Sequence, residues 1–310
     1  MNIERRAALL VRLGGLGDLL VALPSLNLLR KSFPELSLHL VGREAYGGLF
    51  REAGVVDDLL SEAEAKWAPL FDRSDPVPEE LGRWLSKYEL IMGWFHGKGG
   101  GMSGTHRRIP EFAEASPKLF VYDPASRVPI SRYFFDKTAE FIRGKGRPVR
   151  SFEECCRLPG GETHCRGKSV VIHPGSGSPR KCWPLDRFFA LIRFLQPLGF
   201  SGTVVTGEAE ERLEGQIRHV SLPPGWHWRH CPPLRELAFL LRSAALYIGN
   251  DSGVTHLAAA CGTNVIAIFR KEMETAWKPF GIATVLSADE VEQVAVEDVM
   301  AAIGRILERK

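Results

Sequence analysis

The chain has 310 residues, of which 45% are hydrophobic and 25% charged, with a formal net charge of +3. That length suits two domains of roughly 150 residues, the balance is that of an ordinary globular protein, and so small a charge does not mark a nucleic-acid binder. No run of about 18 apolar residues occurs, so no transmembrane helix is expected, and the opening MNIERRAALLVRLGG lacks a cleavage signal, which points to the cytoplasm.

In the first half, AALLVRL (7–13) is a leucine-rich run that ends in glycines and reads as a buried strand. A helix is expected from about Asp18 to Lys31, interrupted or kinked at Pro24. LSLHLV (36–41), ELIMGWF (89–95) and KLFVY (118–122) read as further strands, and a helix over 131–143 closes the half. Residues 60–85 carry many acids and two prolines near 72–80, and read as mixed helix and loop. The stretch 144–168, with GKGRP and PGGETHCRGK, is poor in apolar positions and is the expected linker.

The alternation then restarts. SVVIHPG (169–175) is a strand with a glycine turn, and PLDRFFALIRFLQ places Leu185, Phe188, Phe189, Ile192 and Leu195 on one helix face. GTVVTG (202–207) is a strand, AEERLEGQIRHV a helix and LRELAFLLRSA another. ALYIGND, GVTHLAAACG and TNVIAIF form a strand, helix and strand, and the last twenty residues show helical spacing at Val299, Ile303, Ile306 and Leu307. Two consecutive β/α halves imply two parallel-sheet domains, over 1–150 and 151–310, with the last helix free to pack back on the first. Ligands in such sheets lie beyond the carboxyl ends of strands, where glycine-rich turns feed helices.

Three turns suit that role. Gly14-Gly15-Leu16-Gly17-Asp18 follows the first strand; Asp18 there is either a helix cap or a base. A dinucleotide fingerprint fits poorly, because its third glycine would fall on Leu20. The second turn, Gly175-Ser176-Gly177-Ser178, offers small residues and backbone amides to diphosphate oxygens, with Lys181 as a charge beside them. In the third, Asp251 or Ser252 caps a helix that begins Gly253-Val254-Thr255-His256, whose N-terminus favours an anion.

Charge is unevenly spread. Residues 51–80 hold three basic and nine acidic side chains, whereas residues 94–150 hold eleven basic and five acidic. The basic stretch, with Lys98, Arg107, Arg108, Arg127 and Arg132, reads either as a solvated face or as a cradle for an anionic acceptor or membrane surface. The six cysteines show no disulfide framework, and Cys155, Cys156, His164 and Cys165 lack the usual zinc spacing, so they read as free thiols.

Taken together, VRLGGLGDLLVALPSLNLLRKSFP, HPGSGSPRKCWP and GNDSGVTHLAAACGTNVIAIF resemble glycosyltransferase family 9, the bacterial ADP-heptose:lipopolysaccharide heptosyltransferases. The resemblance spans nearly the whole chain and implies an α/β GT-B fold, two Rossmann-like parallel-sheet domains facing across a cleft. It implies an acceptor-binding N-terminal domain, a nucleotide-sugar-binding C-terminal domain, inversion at the anomeric carbon, and no metal or other cofactor. By the family's motifs the catalytic base falls on Asp18 and the phosphate-binding lysine on Lys181. The donor-binding set is then Gly175, Ser176, Gly177, Ser178, Lys181, Asp251, Ser252, Gly253 and His256, with a ribose contact from Glu208, or from Glu210 or Glu211. Gly14, Gly15, Gly17, Lys98, Arg107 and Arg108 are the expected acceptor contacts. Two departures stand out: Ser252 replaces the usual threonine, and Phe269-Arg270-Lys271-Glu272 replaces Phe-Gly-Pro-Thr.

The expected partners are therefore an ADP-heptose donor and an anionic glycolipid acceptor of the lipopolysaccharide-core type, with no nucleic acid. Peripheral contact with the cytoplasmic face of the inner membrane fits the basic stretch. The alternatives are a relative using another sugar nucleotide or a protein acceptor, and a non-catalytic nucleotide-sugar-binding protein; retention of both Asp18 and Lys181 favours an enzyme.

Overall fold

The computed structural model describes residues 6–67, 78–96, 117–161, 167–210, 215 and 220–308. They form two compact units, Met1–Gly160 and Gly161–Lys310. Residues 151–160 stay with the first unit because Asn27 donates from Nδ2 to the carbonyls of Cys155 (2.8 Å) and Arg157 (2.7 Å).

Among the described residues, the first unit is built on five parallel strands: β1 (Ala7–Val11), β2 (Ser37–Gly42), β3 (Asp58–Ser61), β4 (Leu90–Phe95) and β5 (Lys118–Val121). Their spatial order is β3-β2-β1-β4-β5. Central β1 is buried at every residue, as a strand covered on both faces must be, and aligns Leu9 with His39 on one side and Ile91 on the other. Helix α1 (Leu16–Ser32) runs through Pro24. A mid-helix proline costs about 3 kcal/mol, but Leu19, Leu20, Leu23, Leu26, Leu28 and Leu29 are all buried, at about 1.5–3 kcal/mol each, so burial wins. α2 (Glu44–Glu52) and β3 escaped the sequence reading; α2 carries Gly47 and Gly48 at its centre, each about 1 kcal/mol poorer than alanine in a helix. The difficult stretch 60–85 resolves into the end of β3, a single 3₁₀ turn at Ala65–Trp67 and α3 (Glu79–Leu85), with 68–77 outside the described residues. α4 (Ile130–Gly144) packs along α1 and buries Ile130, Phe134, Phe135 and Ile142.

Among the described residues, the second unit has six parallel strands: β6 (Ser169–His173), β7 (Ser201–Thr206), β8 (Trp226–His230), β9 (Leu246–Asn250), β10 (Val265–Arg270) and β11 (Ala283–Ala288). They lie in the order β11-β10-β9-β6-β7-β8. Both edge strands, β8 and β11, were missed from sequence: WHWRH is mostly polar, and ATVLSA is short and only partly buried. The helices are α5 (Leu185–Leu195), α6 (Leu234–Ser243), α7 (Gly253–Ala260), α8 (Lys271–Trp277) and α9 (Val296–Leu307). The helix expected over 209–220 falls almost wholly outside the described residues. α9 buries Val299, Ile303 and Ile306 in the core of the second unit with Ile192 and Leu195 of α5. A 3₁₀ turn at Val291–Gln293 precedes it.

Strand order decides where ligands can sit. In each sheet the connections leave the first strand in one direction and later return to its other side. The loops at that reversal diverge to opposite faces and leave a crevice at the carboxyl ends. In the first unit the crevice lies between β1 and β4, and in the second between β6 and β9.

Candidate functional site

At the first crevice, Gly15 caps α1, and Asp18, three residues on, turns its carboxylate back so that Oδ2 accepts the Gly15 N–H at 2.8 Å. Asp18 is thus not the cap itself but the acid of a capping box. Gly14 has φ of +114°, and a Cβ there would lie 2.5 Å from Asp18 Oδ2, so the turn needs glycine for both its backbone and its clearance. Gly17 lies in the first turn of α1.

The other carboxylate oxygen is gripped from two strands. Arg12, the residue after β1, is buried and donates from Nη2 to Asp18 Oδ1 (3.0 Å), from Nε to the Asp18 carbonyl (2.6 Å), and from Nη1 to the Trp94 carbonyl (3.0 Å). His96, the residue after β4, places Nε2 2.5 Å from the same Oδ1. Burial pushes the Asp18 carboxyl upward, but His96, the Arg12 charge and the Gly15 amide outweigh it and hold the group below the usual carboxylate range. Burial also lowers the Arg12 guanidinium to about 10, against the pull of Asp18. Phe134 on α4 lies under that guanidinium, with Cζ 5.5 Å from the ring centroid, and Thr138 on the same helix accepts the Trp94 indole N–H at 3.1 Å.

Neither Arg12 nor His96 was singled out from sequence. Arg12 had a signal, a charge set within an apolar strand run; His96 had only its place directly after one. Lys98, Arg107 and Arg108 lie outside the described residues.

The second crevice is lined by the loops after β6 and β9, and the structure brings most of the expected donor set together there. Asn250, fully buried at the end of β9, donates to the Pro174 carbonyl (2.8 Å) and accepts the Trp183 N–H (3.1 Å), which ties the two loops together. Ser176 donates its hydroxyl to the Asp251 carbonyl at 2.6 Å, so its side chain braces one loop against the other. Lys181 Nζ forms an ion pair with Asp251 Oδ2 at 2.7 Å; the lysine is partly exposed and the carboxylate buried. Ser252 caps α7 by accepting the Thr255 N–H, and its hydroxyl also meets His173 Nδ1 at 3.3 Å. Gly253 opens α7, so the helix N-terminus points into the crevice mouth with Lys181 beside it, an arrangement suited to an anion. Gly177 and Ser178 lie in the same loop, Gly177 exposed.

Glu208, the first choice for a ribose contact, is exposed, whereas Glu210 is buried: it accepts the Gly207 N–H at 2.7 Å and approaches His173 Nε2 at 3.6 Å. A Cβ on Gly175 would stand 2.1 Å from Glu210 Cγ and Cδ, so this glycine exists to let the glutamate pass beneath the loop. Glu211 lies outside the described residues. His256 is buried on α7, with its ring 6.2 Å from that of Trp277 at the end of α8. The departure at 270–272 is structural as well: Arg270 pairs with Glu272 (2.8 Å) and Glu290 (3.1 Å), fastening the start of α8 to the segment after β11.

Cys155 and Cys156 are free and buried, which raises both thiols, Cys156 to about 12. His164 and Cys165 lie outside the described residues. No described helix is long and apolar enough to cross a membrane.

Comparison with known proteins bears on this arrangement. The model of glycosyltransferase family 9 (heptosyltransferase) matches residues 148–299. Lipopolysaccharide heptosyltransferase 3 of Escherichia coli K12 is 32% identical over 114 residues, which are 36% of this chain and 33% of that protein. The match thus spans about a third of that relative's length. Among solved structures, a family 9 glycosyl transferase from Veillonella parvula superposes with a TM-score of 0.75 at 16% identity, covering 100% of this chain and 99% of that one. The ADP-heptose heptosyltransferase II of E. coli gives 0.71 at 13% identity, over 98% and 99% of the two chains. An E. coli heptosyltransferase solved with ADP gives 0.70 at 17% identity, over 97% and 99%. These likenesses establish the GT-B fold. Over residues 148–299, nearly all of its C-terminal unit, the chain is similar to glycosyltransferase family 9.

Proposed function

We propose that this protein is an inverting, metal-independent glycosyltransferase that moves a heptose from ADP-heptose to a hydroxyl of a lipopolysaccharide-core-type acceptor. The observation that carries the reading is that the crevices of the two sheets hold unlike chemistry. One holds an ionised carboxylate, Asp18; the other holds Lys181 beside the N-terminus of α7. The family match and the solved relatives bound to ADP and to an ADP-heptose analogue support a nucleotide-sugar donor.

In this reading Asp18 takes the proton of the acceptor hydroxyl as the oxygen's electron pair forms a bond to the anomeric carbon. The bond from that carbon to the diphosphate oxygen breaks, and the leaving group keeps the pair. Lys181 and the amides at the start of α7 stabilise the developing negative charge. The ribose contact falls to Glu208 or to Glu210, which also locks the Gly175 loop. The basic side chains Lys98, Arg107 and Arg108 contact the anionic acceptor, at the cytoplasmic face of the inner membrane.

A thermal-shift panel of ADP-, UDP- and GDP-sugars, followed by transfer assays with and without EDTA, tests the reading. Stabilisation by ADP-sugars and EDTA-insensitive transfer of heptose are expected. Stabilisation without transfer to any acceptor glycolipid would favour a binding protein, and loss of transfer in EDTA would overturn the metal-free mechanism. Charge reversal at Arg107 and Arg108 should raise the acceptor KM and leave donor affinity alone.

A further inference from the structure

Asp18 is held more elaborately than a helix-start acid requires. The Gly15 N–H on Oδ2 already completes the capping box. Oδ1 has no part in the cap, yet it receives Arg12 from the end of β1 and His96 from the end of β4, adjacent strands on the two sides of the crevice. Arg12 is itself fixed by three acceptors and the Phe134 ring, so one side of the grip is rigid. The other side, His96, is partly exposed and titratable. Among the described residues, the charged and titratable groups that act on Asp18 are Arg12 and His96; α4 contributes only the Phe134 ring and the Thr138 hydroxyl to this corner.

We propose that His96 is a positioning residue for the general base: its neutral Nε2–H tautomer, donating to Oδ1, orients the Asp18 carboxylate jointly with Arg12 and leaves Oδ2 as the oxygen that takes the acceptor proton. This rests on the reading of Asp18 as the base. The proton itself goes to Asp18, and His96 exchanges none during the step. Its charge nevertheless sets the base strength. A neutral imidazole orients the carboxylate at little cost to its basicity, whereas an imidazolium would place a second full positive charge on an oxygen that already faces Arg12, and the carboxylate would become a poorer base. Transfer is therefore faster with His96 neutral.

The test combines steady-state kinetics with a measurement that needs no turnover. Gln places an amide N–H close to where the imidazole Nε2–H stands but does not titrate, so His96→Gln separates orientation from charge; His96→Ala removes both. The expected results are a wild-type kcat that falls on acidification with one limb that His96→Gln lacks, and a His96→Gln kcat within about tenfold of wild type at the alkaline end. His96→Ala should lose about a hundredfold in kcat, the scale of a misplaced catalytic group, with donor KM unchanged. Nitrogen-15 NMR of the His96 ring in the intact wild-type protein should show the Nε2–H tautomer, and Asp18→Asn should shift the ring's nitrogen resonances. A His96→Gln kcat–pH profile identical to that of wild type, a His96→Ala enzyme with wild-type kcat, or an Nδ1–H tautomer in active wild type would each overturn the proposal while leaving Asp18 as base. A wild-type protein that transfers from no nucleotide sugar would instead overturn the functional reading, and the proposal with it. If His96→Ala fails to fold, the tautomer and the His96→Gln profile still decide.

Discussion

Lys181 Nζ stands 2.7 Å from Asp251 Oδ2, and this ion pair joins the loop after β6 to the loop after β9. The two partners are unequally exposed, with side-chain accessibilities of 30% and 6%. Removing the lysine leaves a buried carboxylate without its cation, whereas removing the carboxylate leaves a lysine that water can solvate. Lys181→Ala should therefore cost stability, about 1–3 kcal/mol, as well as about a hundredfold to a thousandfold in kcat. Asp251→Asn should cost distinctly less stability. Melting temperatures and transfer rates measured on the same preparations check both, and equal destabilisation would show that the pair is not asymmetric.

Asp18→Asn separates chemistry from folding. Asparagine caps a helix start well but cannot take a proton, so transfer should fall by about 10²–10⁴-fold with donor affinity retained. Stability should also fall, by about 1–3 kcal/mol, because the buried Arg12 charge loses its counter-ion; the motif alone suggests no such cost.

The same variant has a pH signature. The folded-state Asp18 carboxyl lies below the unfolded value of about 4, so its contribution to stability is complete above that value. That contribution is lost as the pH falls through the folded-state value. The gap in melting temperature between wild type and Asp18→Asn should be widest near neutral pH and close on acidification below about 4. A gap independent of pH would mean that the ion pair with Arg12 contributes nothing.

Gly175 and Glu210 should be coupled. A Cβ on Gly175 collides with the interior of the Glu210 side chain, so Gly175→Ala should destabilise by about 1–3 kcal/mol. In a Glu210→Ala background the same change should cost much less, a coupling of about 0.5–3 kcal/mol. Additive losses measured by chemical denaturation would show that the glutamate swings aside freely.

The cysteines should divide by reactivity. In a Cys165→Ser background, Cys231, which is exposed, should react first with a thiol reagent under native conditions. Cys155 and Cys156, buried and raised by that burial, should react only on unfolding. Fast native labelling at either would show that the segment following α4 opens locally.

Much of this protein is legible in its sequence, because local patterns are enough to specify it. The leucine-rich run before Gly14 is a strand, the spacing of Phe188, Ile192 and Leu195 is a helix face, and the HPGSGS and NDSG turns mark where backbone amides are exposed. The edge strands β8 and β11 were hidden because an edge needs little hydrophobic alternation. α2 was hidden because burial outweighs its two central glycines. What only the tertiary structure decided is which loops meet. Strand order is a property of long-range pairing, and nothing local in ELIMGWFH says that β4 lies beside β1. That pairing carries His96 across 78 residues of chain to Oδ1 of Asp18, and the β6–β9 pairing likewise brings Lys181 to Asp251. The sequence names the acid and the cation. The sheets supply their partners, because a charge is tuned by whatever lies within a few ångströms of it in space.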